Sequence, residues 1–367
     1  MGRPGIQTKA DAVKKTVDGI SLNVVWEELK DVTAHYSERR SHLVSLLTHG
    51  TITAADPVPQ SLTFERMDRA TEFGVPKAVG TEPVLLMGKT LWDFDKATRF
   101  SWLAARDMTF DQIRYSWSRI MEADDSEIAR QTFKRIFTPT EGVNEQGHRV
   151  FGLWNGTDSL GPLPYNGVTF PTNTSHYIPT QNATLDSQDV EDAIDMITTK
   201  GYGLRAGSQI LIVANTAQVK QISSWRAGVE SRSSGPLALY SFIPSVAAPP
   251  YLTDQRIVGS VAPAEYNGLA VTGSYGRGFV IEHPEIPAGY VLVVATGGPD
   301  SVDNVLGLRE HPDAAWRGLR PLPGNYNGYP LIESFAQRTF GVGTRHRSAA
   351  VCLQVTAGST YTAPSFA

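Results

Sequence analysis

The 367-residue chain has a single cysteine, Cys352, so no disulfide can form within it, and packing and hydrogen bonds must hold the fold. One thiol fits a reducing compartment. Its neighbours Ala349, Ala350, Val351, Leu353 and Val355 place it in a buried strand rather than at a reactive surface. No apolar run approaches the ~18 residues of a membrane span. Met1-Gly-Arg-Pro-Gly5 lacks the apolar core of a secretion signal, so no membrane is expected among the partners. Without secretion, the Asn-x-Ser/Thr patterns at Asn155, Asn173 and Asn182 are chance matches. Charged residues make up 19% of the chain, fewer than the ~25% of an average soluble protein. That shortfall fits a chain that hides surface against copies of itself. A net charge of −4 gives no support for a dedicated nucleic-acid reader, which shows a basic domain or stripe.

Chemical motifs are equally scarce. There is no Gly-x-Ser-x-Gly elbow, no His-Glu-x-x-His and no paired cysteine. Gly88-Lys89-Thr90 ends like a phosphate-binding loop, but Pro83 stands where the first glycine belongs and no helix start follows. Gly201-Tyr-Gly203-Leu-Arg-Ala206 has the letters of a dinucleotide fingerprint. It follows a helix and precedes a strand, whereas a pyrophosphate needs a helix N-terminus after the glycines. Glu282-His283-Pro284 and Glu310-His311-Pro312 offer His and carboxylate ligands only if folded together; each also reads as a strand end before a proline turn. Arg338, Arg345, His346 and Arg347 form the tightest basic cluster, suited to phosphate or, more readily, to ion pairs at a subunit interface. No catalytic residue, metal ligand or cofactor site is assigned.

What is present is pattern. The length allows two or so domains. The longest element is a helix over Phe110–Phe137, with Thr109 and Gln112 as a capping box, Met108 and Ile113 as a staple, and Pro139 beyond its end. Apolar residues recur at Ile113, Trp117, Ile120, Met121, Ile128 and Ile136. Asp124-Asp-Ser-Glu127 interrupts them: Asp124 faces inward and, with Glu127, also reads as a second N-cap, so a kink or restart is expected there. Residues 20–49 carry a further helical stripe with Gly50 as its stop, and Ala54 to Pro59 reads as an extended linker. That stripe needs a partner, and another chain is the nearest candidate.

From Leu62 to Phe100, extended arms surround a turn-rich tip, Phe73–Pro83. Short strands at Arg149–Leu153 and Gly167–Phe170 are punctuated by Asn155-Gly156 and Asn166-Gly167 turns. A helix over Ser187–Thr199 ends at Gly201. A fully apolar strand, Gln209–Ala214, then leads into a helix capped by Asn215 or Thr216. Residues 228–250 read as a mobile loop, and strands at Leu269–Val271, Phe279–Glu282, Tyr290–Ala295 and Ala349–Val355 follow, with Asn267-Gly268 and Asn327-Gly328 turns.

This order of parts resembles the major capsid proteins of tailed bacteriophages. Four stretches are similar to those of actinobacterial phages and prophages: Ala97-Thr-Arg-Phe-Ser-Trp-Leu-Ala-Ala-Arg-Asp107, Phe151-Gly-Leu-Trp-Asn-Gly156, Pro321-Leu-Pro-Gly-Asn-Tyr-Asn-Gly-Tyr-Pro330 and Phe340-Gly-Val-Gly-Thr-Arg-His-Arg-Ser-Ala-Ala-Val351. No single motif is diagnostic; their collinearity carries the likeness from about Leu62 onward. The resemblance implies an α+β, Johnson-type viral capsid fold. Its parts are an N-terminal helix and arm (1–58), an extended loop with its arms (59–100), a peripheral domain (101–200) holding spine helix 110–137 and C-terminal strands at about 336–367, and an axial α+β domain (201–335). The loop of residues 66–90 and the arm 1–58 then reach over or beneath neighbouring copies, and residues 228–250 line the capsomer axis. Some relatives crosslink through lysine and asparagine; Lys77 and Lys89 lie on the loop, but no partner or catalytic acid is identifiable, and no crosslink is assigned.

The implied function is non-enzymatic: hexamers and pentamers of an icosahedral virion shell, assembled in the cytoplasm of a bacterial host. The implied partners are the chain itself, packaged double-stranded DNA held by non-specific phosphate contact, and portal, scaffolding or decoration proteins. An encapsulin-like shell enclosing cargo protein is the alternative.

Overall fold

A computed structural model of the chain describes residues 15–37, 41–59, 69, 84–247, 261–324 and 331–366. The loop tip Phe73–Pro83 with Lys77, the Asn327-Gly328 turn and residues 1–14 of the expected arm lie outside these. In chain order the elements begin with α1 (Leu22–Ser37), α2 (His42–Leu47), β1 (Thr48–Thr51), β2 (Ala55–Pro59), β3 (Val84–Gly88), β4 (Trp92–Ser101), α3 (Trp102–Asp107) and α4 (Phe110–Phe137). There follow β5 (Gly142–Val143), β6 (Arg149–Val150), β7 (Tyr177–Pro179), α5 (Ser187–Thr198), β8 (Gln209–Ala214), α6 (Thr216–Ser223), β9 (Ile243–Pro244), β10 (Glu265–Tyr266) and β11 (Leu269–Ala270). The last are β12 (Gly273–Tyr275), β13 (Gly278–Glu282), β14 (Tyr290–Thr296), β15 (Leu306–Glu310), β16 (Arg320–Pro323), β17 (Leu331–Thr344) and β18 (Ala350–Gln354). They divide into two units, one of Met1–Ser41, Leu91–Ala129 and Arg309–Gly341, the other of His42–Thr90, Arg130–Leu308 and Val342–Ala367.

In the first unit β17 runs antiparallel to β4 from Leu331 opposite Ser101 to Phe340 opposite Trp92. β16 takes the other side of β17, pairing Arg320 with Gln337 and Pro323 with Ser334. The arm that carries Trp92 to Phe100 therefore pairs with a strand more than two hundred residues away, a partner that no local pattern announces. α1 buries Val25 and Leu29 against Trp117, Ile120, Leu319 and Ala336, and the Trp117 indole donates to Thr33 Oγ1 at 2.9 Å. The part of its apolar stripe that carries Val25 and Leu29, expected to need another chain, is covered within its own, while Val24 stays exposed.

α4 starts as its sequence dictates. Thr109 N donates to Gln112 Oε1 at 3.0 Å while Gln112 N donates back to Thr109 Oγ1 at 3.4 Å, a reciprocal capping box. Phe110 N also donates to the Asp18 carboxylate at 3.1 Å, an anion where the helix dipole favours one. The expected break at Asp124 to Glu127 does not occur, and the helix is continuous from Phe110 to Phe137. Asp124 does face inward, but its carboxylate takes a side-chain partner, Arg338, instead of the backbone N–H groups that a cap would need.

The helix expected over residues 20–49 is two helices, and Gly50 lies in β1 rather than at a helix end. Gly50 N donates to Asp300 Oδ1 at 2.7 Å, and His49 Nδ1 lies 2.9 Å from the Asp300 carbonyl. Those long-range bonds hold the chain extended where local propensity allows a helix. Asn304 fixes the same segment, donating from Nδ2 to the carbonyls of Thr48 at 2.9 Å and Ser45 at 3.2 Å. With Leu43, Val44, Leu46 and Leu47 all buried, residues 42–48 are part of a core and not a free arm.

The second unit is built on a seven-stranded mixed sheet in the order β7-β18-β14-β8-β13-β12-β9. β8 is central, antiparallel to β14 and parallel to β13, and Leu211 to Ala214 are fully buried, as a strand covered on both faces requires. α5 lies against β14 and β18, and α6 against β8 and β13. Asp186 caps α5 through a reciprocal box with Asp189, and Asn215 caps α6. Asn166-Gly167 and Asn267-Gly268 both take positive φ (47° and 81°, 47° and 82°), the conformation of a tight hairpin turn. Only Arg149–Val150 of the first expected short strand pairs, with β5, and Gly167–Phe170 yields a single Tyr165–Val168 bridge. The segment read as a mobile loop folds back on itself over its described part. Glu230 bridges Leu237, Gly228 N donates to the Ala238 carbonyl, and Ala238 and Phe242 are buried.

Candidate functional site

The groups that the sequence singles out for chemistry are held by partners in their own units. Lys89 is fully buried, its ammonium 2.5 Å from Asp56 Oδ2. A Cβ on Gly88 would meet the Arg149 carbonyl oxygen at 2.6 Å, so this glycine answers a close backbone approach and not a phosphate. Burial raises the Asp56 pKa, but Lys89, Thr53 and Arg345 outweigh it and hold the carboxyl below its usual value. Gly201 and Gly203 have φ of 86° and 73° and form the turn between α5 and β8. His283 packs its ring 5.5 Å from that of Phe133 in the second unit, while His311 Nδ1 accepts from Asp313 N at 3.1 Å in the first. Among the described residues no three His, Cys, Asp or Glu side chains gather as metal ligands, and no helix is long and apolar enough to cross a membrane.

The basic cluster is consumed inside the chain, which corrects the expectation of phosphate or of ion pairs between subunits. Arg338 Nε meets Asp124 Oδ1 at 2.8 Å with both side chains almost wholly buried, and Asp124 Oδ2 also accepts from the Tyr36 hydroxyl at 3.0 Å. Burial pushes the Asp124 carboxyl up against the pull of Arg338 and Tyr36. Arg345 donates to the Val302 carbonyl at 2.8 Å and pairs with Asp56 at 3.4 Å. Arg347 is fully buried: its NH1 lies 2.7 Å from Asp158 Oδ2, and it donates to the carbonyls of Gly152 at 3.0 Å and Leu153 at 3.2 Å. Its guanidinium also stacks 4.0 Å over Trp154 and 4.8 Å over Phe151. Asp56 and Asp158 were missed in the sequence because nothing near either marks a partner that lies far along the chain. Cys352 is the buried strand thiol expected, and burial raises its pKa well above the usual value.

Two histidines of the second unit are held neutral. Burial takes His176 down to about 3, and its Nδ1 donates to the Ala350 carbonyl 2.7 Å away while Nε2 finds no partner. Burial takes His346 down to about 4; its Nε2 donates to the Val302 carbonyl at 3.0 Å, leaving Nδ1 to accept from the Tyr202 hydroxyl at 3.2 Å. Unfolding releases both to an ordinary value near 6.5, so the unfolded chain binds more protons at every pH from there down to the folded values. Stability is therefore full above about pH 6.5 and falls as the pH drops, by about 2 kcal/mol per histidine between pH 7 and pH 5. Urea unfolding at the two pH values checks this: His176→Asn and His346→Gln should each flatten the dependence.

Surfaces remain. On the second unit the hairpin of residues 226–242 exposes Val229, Leu237 and Leu239 and is fastened to α5 by Arg232 to Asp186 at 3.1 Å and by Leu239 N to Glu191 Oε1 at 2.9 Å. A cleft of about 290 Å³ between them is lined by Glu191, Ile194, Leu204, Leu239 and Tyr240. On the first unit Trp92, Leu103, Tyr115 and Trp316 are exposed. Large apolar groups in the open, with charges tied up internally, suit contacts between protein surfaces better than they suit a small substrate.

No protein-family model and no curated protein matches the chain. Among solved structures, a chain of Mycobacterium phage Patience is 34% identical with a TM-score of 0.72, over 99% of this chain and 96% of that one. The capsid of a native GTA particle is 18% identical at a TM-score of 0.49, over 86% and 91%. The holo-SrpI encapsulin complex of Synechococcus elongatus PCC 7942 is 10% identical at 0.41, over 89% and 91%. Only the first is close enough to bear on function.

Proposed function

The chain belongs to the major capsid protein family of tailed bacteriophages and builds a virion shell from copies of itself; from that premise we propose how its parts serve the shell. The observation that carries the reading is the 34% identity to the mycobacterial phage protein across 99% of this chain. Copies associate into hexamers and pentamers, and each copy makes heterologous contacts, in which one surface meets a different surface of the next copy. Residues 101–200, with spine helix 110–137, act as the peripheral domain together with the strands at about 336–367. Residues 201–335 act as the axial domain, with residues 228–250 lining the capsomer axis. Residues 59–100 reach across a neighbour. The role is structural and not catalytic.

Shells form in the cytoplasm of the bacterial host and enclose double-stranded DNA. The wall meets that DNA by sequence-independent phosphate contact, and portal, scaffolding or decoration proteins join the same shell. Particles purified from infected cells and treated with nuclease test this. Protected double-stranded DNA of genome length is the expected content; particles that hold a protein cargo and no DNA would replace the reading with an encapsulin-like compartment.

A further inference from the structure

Three described asparagine–glycine pairs stand in turns of the second unit, and the fold holds them unequally. The Asn155 carboxamide is engaged at both ends: Nδ2 donates to the Pro139 carbonyl at 3.2 Å, and Oδ1 accepts from Thr157 N at 3.0 Å. A Cβ on Gly156 would meet the Asn173 carbonyl oxygen at 2.6 Å, so this pair is packed as well. Asn267-Gly268 closes the β10–β11 hairpin, in which Glu265 pairs with Ala270 and Tyr266 with Leu269. The Asn267 side chain hydrogen-bonds to that of Tyr266, whose ring stands 5.6 Å from that of Phe279. A Cβ on Gly268 would meet the His42 ring at 2.5 Å. Asn166-Gly167 has none of these ties. Both residues are exposed, a Cβ on Gly167 would meet open space, and a single Tyr165–Val168 bridge closes the turn. Among the described residues, neither the Asn166 side chain nor Gly167 N makes a hydrogen bond.

We propose that Asn166 is a site of spontaneous covalent modification, selected by the fold, at which the side-chain amide becomes aspartate and isoaspartate while Asn155 and Asn267 persist. The inference goes beyond the capsid reading and does not depend on it. The step needs only water. Gly167 N gives its proton to solvent and attacks Asn166 Cγ; the new N–C bond closes a five-membered succinimide as the Cγ–Nδ2 bond breaks and ammonia leaves with a proton. Water then opens either ring carbonyl. One opening gives aspartate, and the other gives isoaspartate, in which the chain runs through the former side-chain carbon. Glycine is the follower that leaves the attacking nitrogen least hindered. A folded backbone resists ring closure, so local opening gates the rate, and the least fastened turn opens most often. The product has a structural consequence. Isoaspartate adds a backbone carbon to a two-residue turn whose φ values of 47° and 81° define a tight hairpin. Tyr165, at the foot of that turn, packs its ring where a Cβ on Gly201 would meet it at 2.6 Å, so an opened turn loosens the cover over the residues that follow α5.

The test is incubation of the full purified chain in mildly alkaline buffer, with samples taken over time. Tandem mass spectrometry of its peptides reads the exchange of amide for acid residue by residue, and an isoaspartate methyltransferase marks the isoaspartate fraction. In the folded chain, conversion at Asn166 should outrun that at Asn155 and at Asn267 by about tenfold or more, because those two must first give up hydrogen bonds and packing. In urea the three rates should converge, since each pair is then free of its turn. Asn166→Gln should keep the unfolding midpoint, show no isoaspartate at position 166, and leave the rates at Asn155 and Asn267 as they were. Conversion at Asn155 or Asn267 as fast as at Asn166 in the folded chain, or none at Asn166, overturns the proposal. A preference for Asn166 that persists undiminished in urea overturns it too, because flanking sequence and not the fold would then select the site.

Discussion

Replacing Asp124 by alanine is expected to destabilise the chain by about 3–5 kcal/mol, because it leaves a buried arginine without its counter-charge. Asp124 and Arg338 keep only 7% and 6% of their side-chain surface exposed at a separation of 2.8 Å. Glu310 stands farther off, 3.8 Å from NH1, and Asp125 feels the Arg338 charge without pairing as closely. Magnitude separates this account from the one that the sequence favours. Were Asp124 an N-cap at a helix restart, its loss would cost about 1 kcal/mol. The double replacement Asp124→Leu with Arg338→Met should recover most of the loss, since a dry ion pair is worth little more than well-packed apolar groups of similar size. Urea denaturation of the three variants reads the difference, and amide exchange across residues 117–128 shows whether α4 is where stability is lost.

The second large effect is expected at Arg347. Arg347→Ala should cost about 3–5 kcal/mol, since it leaves Asp158 buried without its charge partner and takes the donors from the Gly152 and Leu153 carbonyls. Arg347→Lys should rescue only a small part. An ammonium cannot spread its donors over a carboxylate and two carbonyls while lying flat against Trp154 and Phe151. The prediction is the more specific because burial already pulls the Arg347 pKa down while Asp158 and Glu141 raise it. Thermal melts of Arg347→Ala and Arg347→Lys that stay within a degree of the wild type would contradict the role assigned to this side chain.

These two residues show what a sequence can carry. Local chemistry was legible: the Thr109–Gln112 box, the Asn215 cap, the positive-φ Asn-Gly turns and the apolar β8 each depend on neighbours within a few positions. Asp124 was also legible as inward-facing, because helical period alone sets that. What answered it was not. Arg338 stood out as one of a basic cluster, yet nothing in the spacing says that it folds onto Asp124, that Arg345 meets Asp56, or that Arg347 meets Asp158. Pairings across hundreds of residues have no period, and the same limit hid the β4–β17 ladder and the cover over α1. The ribbon of β2 and β3 is an intermediate case. Val84 to Met87 are all apolar, so only the pairing with Asp56, Pro57 and Val58 shows which of them turn inward.

The most direct test of the account is electron microscopy of the purified chain under conditions that permit assembly. The account predicts closed icosahedral shells with pentamers at the vertices and hexamers between them, each density accommodating the unbroken Phe110–Phe137 helix. A chain that stays monomeric, or that forms only open sheets or filaments under all such conditions, would contradict it.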